Sequence, residues 1–163
     1  MTTQTHHAQA RVRYLEDLQV GERFKSASYL IEAADIKDFA GHFDPQPFHM
    51  DEDAARATFF GGLAASGWHT AAITMRLLVT GPVVMAGGIV GVGVEASWPT
   101  PTRPGDVLQV ESEVVEITPS RSRPDRGIVV LQSHTRNQQG EVRQLMRAKL
   151  VVFRRPADAD TID

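Results

Sequence analysis

Asp44 and His49 share the segment Phe43-Asp-Pro-Gln-Pro-Phe-His49, which carries two prolines around a single glutamine. A carboxylate beside an imidazole can bind and polarise one water and shuttle protons near neutral pH. Proline fixes its own φ and biases the residue before it away from helix, so the segment is expected to be a stiff, non-helical loop. Stiffness matters because displacing a catalytic group by about 1 Å can cost about 100-fold in rate. A second chemical element is Ser66-Gly67, at the head of a long apolar stretch. The first N–H groups of a helix have no partner within it, and they carry the positive end of the dipole. Glycine admits close approach, so the Gly67 N–H could donate to a carbonyl oxygen that gains charge during reaction. Ser66 reads as a helix cap rather than a nucleophile, because no Gly-x-Ser-x-Gly elbow surrounds it. His42, His49 and His69 have no recognised ligand spacing, and no metal site is expected. The Asp-x-x-x-x-His spacing alone also suits a turn aspartate and an ordinary packed histidine.

These groups need elements to hold them. Ile36, Phe39, Ala40 and Phe43 recur at helical spacing and predict a short helix over about Ala33 to His42, preceded by a strand from Phe24 to Ile31. Asp51 reads as the cap of a further short helix with Glu52 and Asp53 in its first turn. From Ser66 to Gly81 the sequence predicts a helix with so little polar surface that burial on most sides is expected. Leu108, Val110, Ser112 and Val114 alternate with Gln109, Glu111 and Glu113. Val129, Leu131, Ser133 and Thr135 set one face of the next strand. Val142, Met146, Ala148, Leu150 and Val152 set a face of the last, opposite Arg143, Arg147 and Lys149. Period-two alternation implies antiparallel strands covered on one face. Arg103-Pro-Gly-Asp106 and Asn137-Gln-Gln-Gly140 supply turns. With the apolar run Ile89 to Trp98 as a further, buried strand, the fold class is α+β: a curved antiparallel sheet around a central helix.

The chain of 163 residues suits one domain that needs no disulfide, and it contains no cysteine, which excludes thiol nucleophiles and Cys-ligated zinc. A net charge of −3 argues against a general nucleic-acid binder. The stretch Leu77 to Val94 is broken by six glycine or proline residues and is not read as a membrane span. The N-terminus lacks the apolar core of a secretory signal, and a cytoplasmic location is expected.

Asp44-Pro-Gln-Pro-Phe-His49, then Met-Asp-Glu-Asp-Ala-Ala55 and Gly61-Gly-Leu-Ala-Ala-Ser-Gly-Trp68, resembles the MaoC-like acyl dehydratases, which include (R)-specific enoyl-CoA hydratases. The family loop reads Asp-x-Asn-Pro-x-His; Gln46 stands in place of its Asn, and Ser66-Gly67 in place of its His-Gly. Pro101-Thr-Arg-Pro-Gly-Asp106 and Ser120-Arg-Ser-Arg-Pro-Asp-Arg-Gly127 also resemble the family, and the likeness covers roughly Tyr14 to Phe153. It implies a single hot-dog domain over residues 11–155 with flexible tails at 1–10 and 156–163. It implies that Asp44 and His49 activate the water that adds to a 2-enoyl thioester, that Gly67 donates to the thioester carbonyl, and that Gln46 and Ser66 support them. A family serine on the central helix aligns with Met75. Phe48, Trp68 and Met75 are candidate pocket residues, and Arg103, Arg121, Arg123 and Arg126 candidate contacts for CoA phosphates. The resemblance implies an acyl-CoA substrate, no metal or redox cofactor, and a homodimer or an assembly of dimers. A hot-dog thioesterase and a non-catalytic acyl-thioester-binding subunit of a heteromeric dehydratase remain as alternatives; retention of both Asp44 and His49 weighs against the second.

Overall fold

The computed structural model describes residues 11–157. Of the expected tails at 1–10 and 156–163, all but Pro156 and Ala157 lie outside the described residues. A five-stranded antiparallel sheet has the order β2-β5-β6-β7-β4: β2 is Arg23–Leu30, β4 Val90–Ser97, β5 Val107–Pro119, β6 Arg126–Arg136 and β7 Val142–Phe153. Two short strands, β1 (Val12–Arg13) and β3 (Val84–Met85), pair in parallel beside it. Helices α1 (Ala33–Phe43), α2 (Pro47–Met50), α3 (Glu52–Arg56) and α4 (Gly67–Val79) fill the connection between β2 and β3. This is the hot-dog arrangement the sequence implies, with α4 as its central helix. No helix among the described residues is long and apolar enough to cross a membrane.

The alternation read in β5 holds: Leu108, Val110, Ser112 and Val114 are all buried on the inner face. One half of that face packs Leu108 and Val110 with Ile31, Ile36, Ile73 and Leu77 from the helical side. The other half packs Val114, Val129, Leu131, Leu150 and Val152 beneath Leu15, Leu18 and Met85. Full burial of a side chain such as Ile36 contributes about 1.5–3 kcal/mol. The Arg103–Asp106 turn has Pro104 at its second position and Gly105, at φ +85°, at its third, as a type II turn requires.

Four expectations need correction. Pro47–Met50 is a turn of helix, not an irregular loop, because Pro47 takes the first helical position, where its missing N–H costs nothing. The central helix is not buried nearly all round: Trp68, Met75 and Val79 are exposed along one stripe, at 66%, 44% and 51%. β4 is not a buried strand but an edge strand with all eight residues exposed, since it pairs only with β7. Arg143 does not face solvent. It is buried with Asp106, and next to it Gln144 is wholly buried. Apolar periodicity reports which side of an element is oily, not whether another element of the same chain covers it.

Candidate active site

The site begins where α1 stops. Pro45 disfavours helical geometry at Asp44, so Asp44 becomes the last capped residue, its N–H still donating to the Ala40 carbonyl at 2.9 Å. Two residues on, the Gln46 N–H donates to the Asp44 carbonyl at 2.8 Å, and α2 then carries His49 inward. His49 is buried. Asp44 and His49 thus come from two helix ends joined by a tight proline-bounded connection.

Every oxygen of the Asp44 carboxyl is engaged. Gln46 Nε2 donates to Oδ1 at 2.7 Å, and the Ser66 hydroxyl donates to Oδ2 at 2.7 Å. His49 Nε2 lies 3.4 Å from the same Oδ2. Burial pushes this carboxyl up, but the Ser66 and Gln46 hydrogen bonds and the nearby His49 outweigh it, leaving its pKa below the usual value. Asp44 is therefore anionic at neutral pH. His49 Nδ1 stands 2.6 Å from the Ala64 carbonyl oxygen, which can only accept, so Nδ1 carries the proton in the neutral ring. That leaves the Nε2 lone pair facing the carboxylate. Two acceptors 3.4 Å apart can both take hydrogens from one water.

Ser66 links this pair to α4. Its oxygen accepts from the Trp68 N–H at 3.3 Å while its hydrogen goes to Asp44. Gln46 and Ser66, the residues expected to support the pair, both hydrogen-bond the Asp44 carboxyl. Gly67, the next residue, opens α4, and its N–H is one of the free helical donors. Trp98 lies against it: a Cβ at Gly67 would meet two ring carbons of Trp98 at 2.8 Å. The Trp98 indole N–H is held by the Gln144 side-chain oxygen at 2.8 Å, and Gln144 in turn donates to Thr74 at 3.1 Å. Gly67→Ala is therefore expected to displace Trp98 and to cost about 1–3 kcal/mol by overpacking; urea unfolding followed by tryptophan fluorescence checks this, and an unchanged midpoint and spectrum would contradict it.

The other expected pocket residues separate into two places. Trp68 and Met75 line an apolar groove of about 340 Å³ between α4 and β4, with Ala71, Val92, Val94 and Met146. Trp68, on the groove wall, meets Trp98 edge-on at 5.7 Å, and Trp98 in turn lies against Gly67. Phe48 packs instead on the rings of Phe60 and His49, at 4.9 and 4.5 Å, and does not line that groove. The arginines separate as well. Arg103 directs its guanidinium to the carbonyls of Phe60, Gly62 and Leu63. Arg121, Arg123 and Arg126 sit around the turn at the opposite end of β5, whose 13 residues extend for at most about 40 Å. There Arg126 pairs with Asp125 and lies over the Phe153 ring, while Arg121 and Arg123 are exposed. Nothing among the described residues brings these three to Asp44.

The three histidines considered for a metal do different things. His42 faces the Asp38 carbonyl on the exposed side of α1. His69 stacks on Phe39 with ring centres 4.5 Å apart, and burial pushes its pKa below the usual value against the opposing charges of Asp35 and Asp38. The sequence did not single out Ala64, Trp98 or Gln144. An alanine acting through its carbonyl leaves no trace in residue type. The Trp98–Gly67 contact joins residues far apart in the chain.

The model of the MaoC like domain family matches residues 17–137. A crystal structure of a MaoC-like dehydratase from Rhodospirillum rubrum is 68% identical, with a TM-score of 0.87, over 88% of this chain and 99% of that one. The 3-hydroxybutyryl-CoA dehydratase of Methylorubrum extorquens is 36% identical over 69% of this chain and 71% of its own length. The uncharacterized protein YdeM of Bacillus subtilis is 34% identical over 76% of this chain and 87% of its own. The chain accordingly belongs to the MaoC-like family of dehydratases and hydratases.

Proposed function

We propose that this protein adds water reversibly to a 2-enoyl-CoA, giving a 3-hydroxyacyl-CoA. The observation that carries the reading is the pairing of the Asp44 carboxylate with an Nδ1-protonated His49, joined through Ser66 to the free Gly67 N–H. Water held between Asp44 Oδ2 and His49 Nε2 delivers its oxygen to C3 of the enoyl group. One member of the pair accepts the proton lost by that water, and a proton is delivered to C2. The charge that develops on the thioester oxygen falls to the Gly67 N–H at the positive end of α4. The name of the M. extorquens relative supports a CoA thioester as the substrate class. No metal or redox cofactor enters this scheme.

The acyl chain is assigned to the groove lined by Trp68 and Met75, whose walls are almost wholly apolar. The open stripe of α4 and the exposed edge strand β4, with Val90, Val92 and Val94, support a homodimer joined along this side. Light scattering is expected to give at least twice the chain mass, and a monomer at micromolar concentration would remove this part of the reading. The phosphate contacts are left to Arg121 and Arg123, which have no ion-pair partner among the described residues.

The deciding assay follows the absorbance of the conjugated enoyl thioester with short and medium 2-enoyl-CoAs. Loss of that band with formation of a 3-hydroxyacyl-CoA is expected. Free-thiol release from a saturated acyl-CoA without it would instead make the protein a thioesterase.

A further inference from the structure

We infer that Arg103 is a positioning residue for the His49 imidazole, acting through the backbone of Phe60 to Ala64. Residues 57–66, between α3 and α4, form neither helix nor strand. Carbonyls in such a segment have no ladder partners and must be satisfied individually. Arg103 Nη1 donates to the Gly62 carbonyl at 2.8 Å and the Leu63 carbonyl at 3.1 Å, and Nη2 donates to the Phe60 carbonyl. Three acceptors around one rigid guanidinium fix a curve of backbone that a single ammonium cannot.

Arg103 is itself anchored. Its N–H donates to Asp106 Oδ2 at 2.9 Å, and its carbonyl accepts from the Asp106 N–H at 3.1 Å across the Pro104–Gly105 turn. Just before it, the Thr102 carbonyl accepts from the Ala65 N–H at 2.9 Å. The far side of the same segment faces the catalytic pair. The Ala64 carbonyl accepts a hydrogen bond from His49 Nδ1–H, and the Ala64 N–H donates to the Phe48 carbonyl at 3.1 Å. The Phe60 ring lies 5.9 Å from the imidazole. The segment is thus held between a guanidinium and the imidazole it orients. Without Arg103, the carbonyls of Phe60, Gly62 and Leu63 turn toward water and Ala64 is held only through its own N–H on Phe48 and the Ala65 N–H on Thr102; the Ala64 oxygen then shifts, and the ring is free to carry its proton on Nε2. That tautomer presents a hydrogen to Asp44 where the water-binding arrangement needs a lone pair.

The inference rests on the hydratase reading for its kinetic test only. The imidazole ¹⁵N shifts of His49, identified by comparison with His49→Gln, report the tautomer directly. Wild type is expected to show protonated Nδ1 and unprotonated Nε2, and Arg103→Met a shift toward protonated Nε2. With an enoyl-CoA, Arg103→Met is expected to lower kcat about 10- to 100-fold and change KM less than about twofold, the signature of misplacement rather than lost binding. A raised KM with unchanged kcat would overturn the inference and make Arg103 a phosphate contact. Wild-type ¹⁵N shifts together with wild-type kcat would also overturn it. Should Arg103→Met fail to fold, Arg103→Lys keeps the charge without the fork and is read the same way. A wild-type protein inactive on every enoyl-CoA would remove the hydratase reading, while the tautomer comparison would still decide the role of Arg103.

Discussion

Asp44→Asn lowers kcat for hydration of a 2-enoyl-CoA by about 10³-fold and leaves the fold in place. Positioned acid–base groups contribute about 10²- to 10⁴-fold, and in the proposed scheme this one also helps bind the attacking water. The substitution is close to isosteric. An amide oxygen at the Oδ2 position still accepts from Ser66, so the capped start of α4 survives. What disappears is the negative charge that the Ser66 and Gln46 hydrogen bonds hold in place at neutral pH. Steady-state kinetics beside a circular-dichroism melt test this, and a folded variant with wild-type kcat would end the assignment. In the proposed scheme Asp44 and His49 act on one water, so the double variant Asp44→Asn/His49→Gln is expected to be scarcely slower than either single one. Multiplying effects would mean that the two groups act in separate steps.

Asp106→Asn has the largest expected effect on stability, about 3–5 kcal/mol, because it removes the buried bidentate counter-charge of the Arg143 guanidinium and leaves it only the exposed Glu141 carboxylate, at 3.0 Å. The pair is bidentate: Arg143 Nε reaches Oδ2 at 2.8 Å and Nη2 reaches Oδ1 at 3.1 Å, with both side chains under 10% exposed. Asn137 Nδ2 and the Arg103 N–H also donate to this carboxylate, at 3.1 and 2.9 Å. The 103–106 turn and the distant segment from Asn137 to Arg143 therefore meet on one carboxylate. Burial pushes the Asp106 pKa up, but the hydrogen bonds from Arg143, Arg103 and Asn137 outweigh it and hold the group below the usual carboxylate value. A carboxylate whose folded pKa is depressed contributes stability that is complete above its unfolded pKa of about 4 and is lost as pH falls through the folded pKa. Wild type is thus expected to lose stability steeply below about pH 4. In Asp106→Asn part of that slope vanishes along with the stability at neutral pH. Urea unfolding from pH 3 to 7 measures both, and a variant within about 1 kcal/mol of wild type at pH 7 would contradict the argument.

The network has a functional side. Asp106 anchors the backbone of Arg103, and Arg103 supports the segment that holds His49. A loss of activity in Asp106→Asn would therefore not identify Asp106 as a group that touches substrate. Only the His49 tautomer separates a displaced imidazole from a protein that is simply less stable.

Much of this site was determined locally and was legible for that reason. The prolines at 45 and 47 act on their immediate neighbours: one ends α1 at Asp44, and the other starts the turn that carries His49. Gln46 reaches Asp44 because only two residues separate them. Ser66 caps α4 because its hydroxyl and the following N–H groups are adjacent. The inner faces of β5 and β6 follow from period-two alternation, since a strand puts every second side chain on one side.

Tertiary structure decided what depends on elements far apart in the chain. Whether an apolar stripe is covered depends on which element comes to lie against it, so one stripe of α4 and all of β4 are exposed where their apolar sequences imply burial. Arg143 looked like one more outward-facing charge of an alternating strand until Asp106 met it from a turn 37 residues earlier. The arginines around Arg103 and Arg126 read alike as cations in polar turns, yet one clamps the carbonyls of the active-site segment and the other pairs with its neighbour Asp125. The sequence by itself determined the reactive groups and the backbone that stiffens them, because those rest on bonds between near neighbours. The orientation of His49 was decided only by folding, because its partner is a main-chain oxygen that every residue carries and only the fold brings to Nδ1.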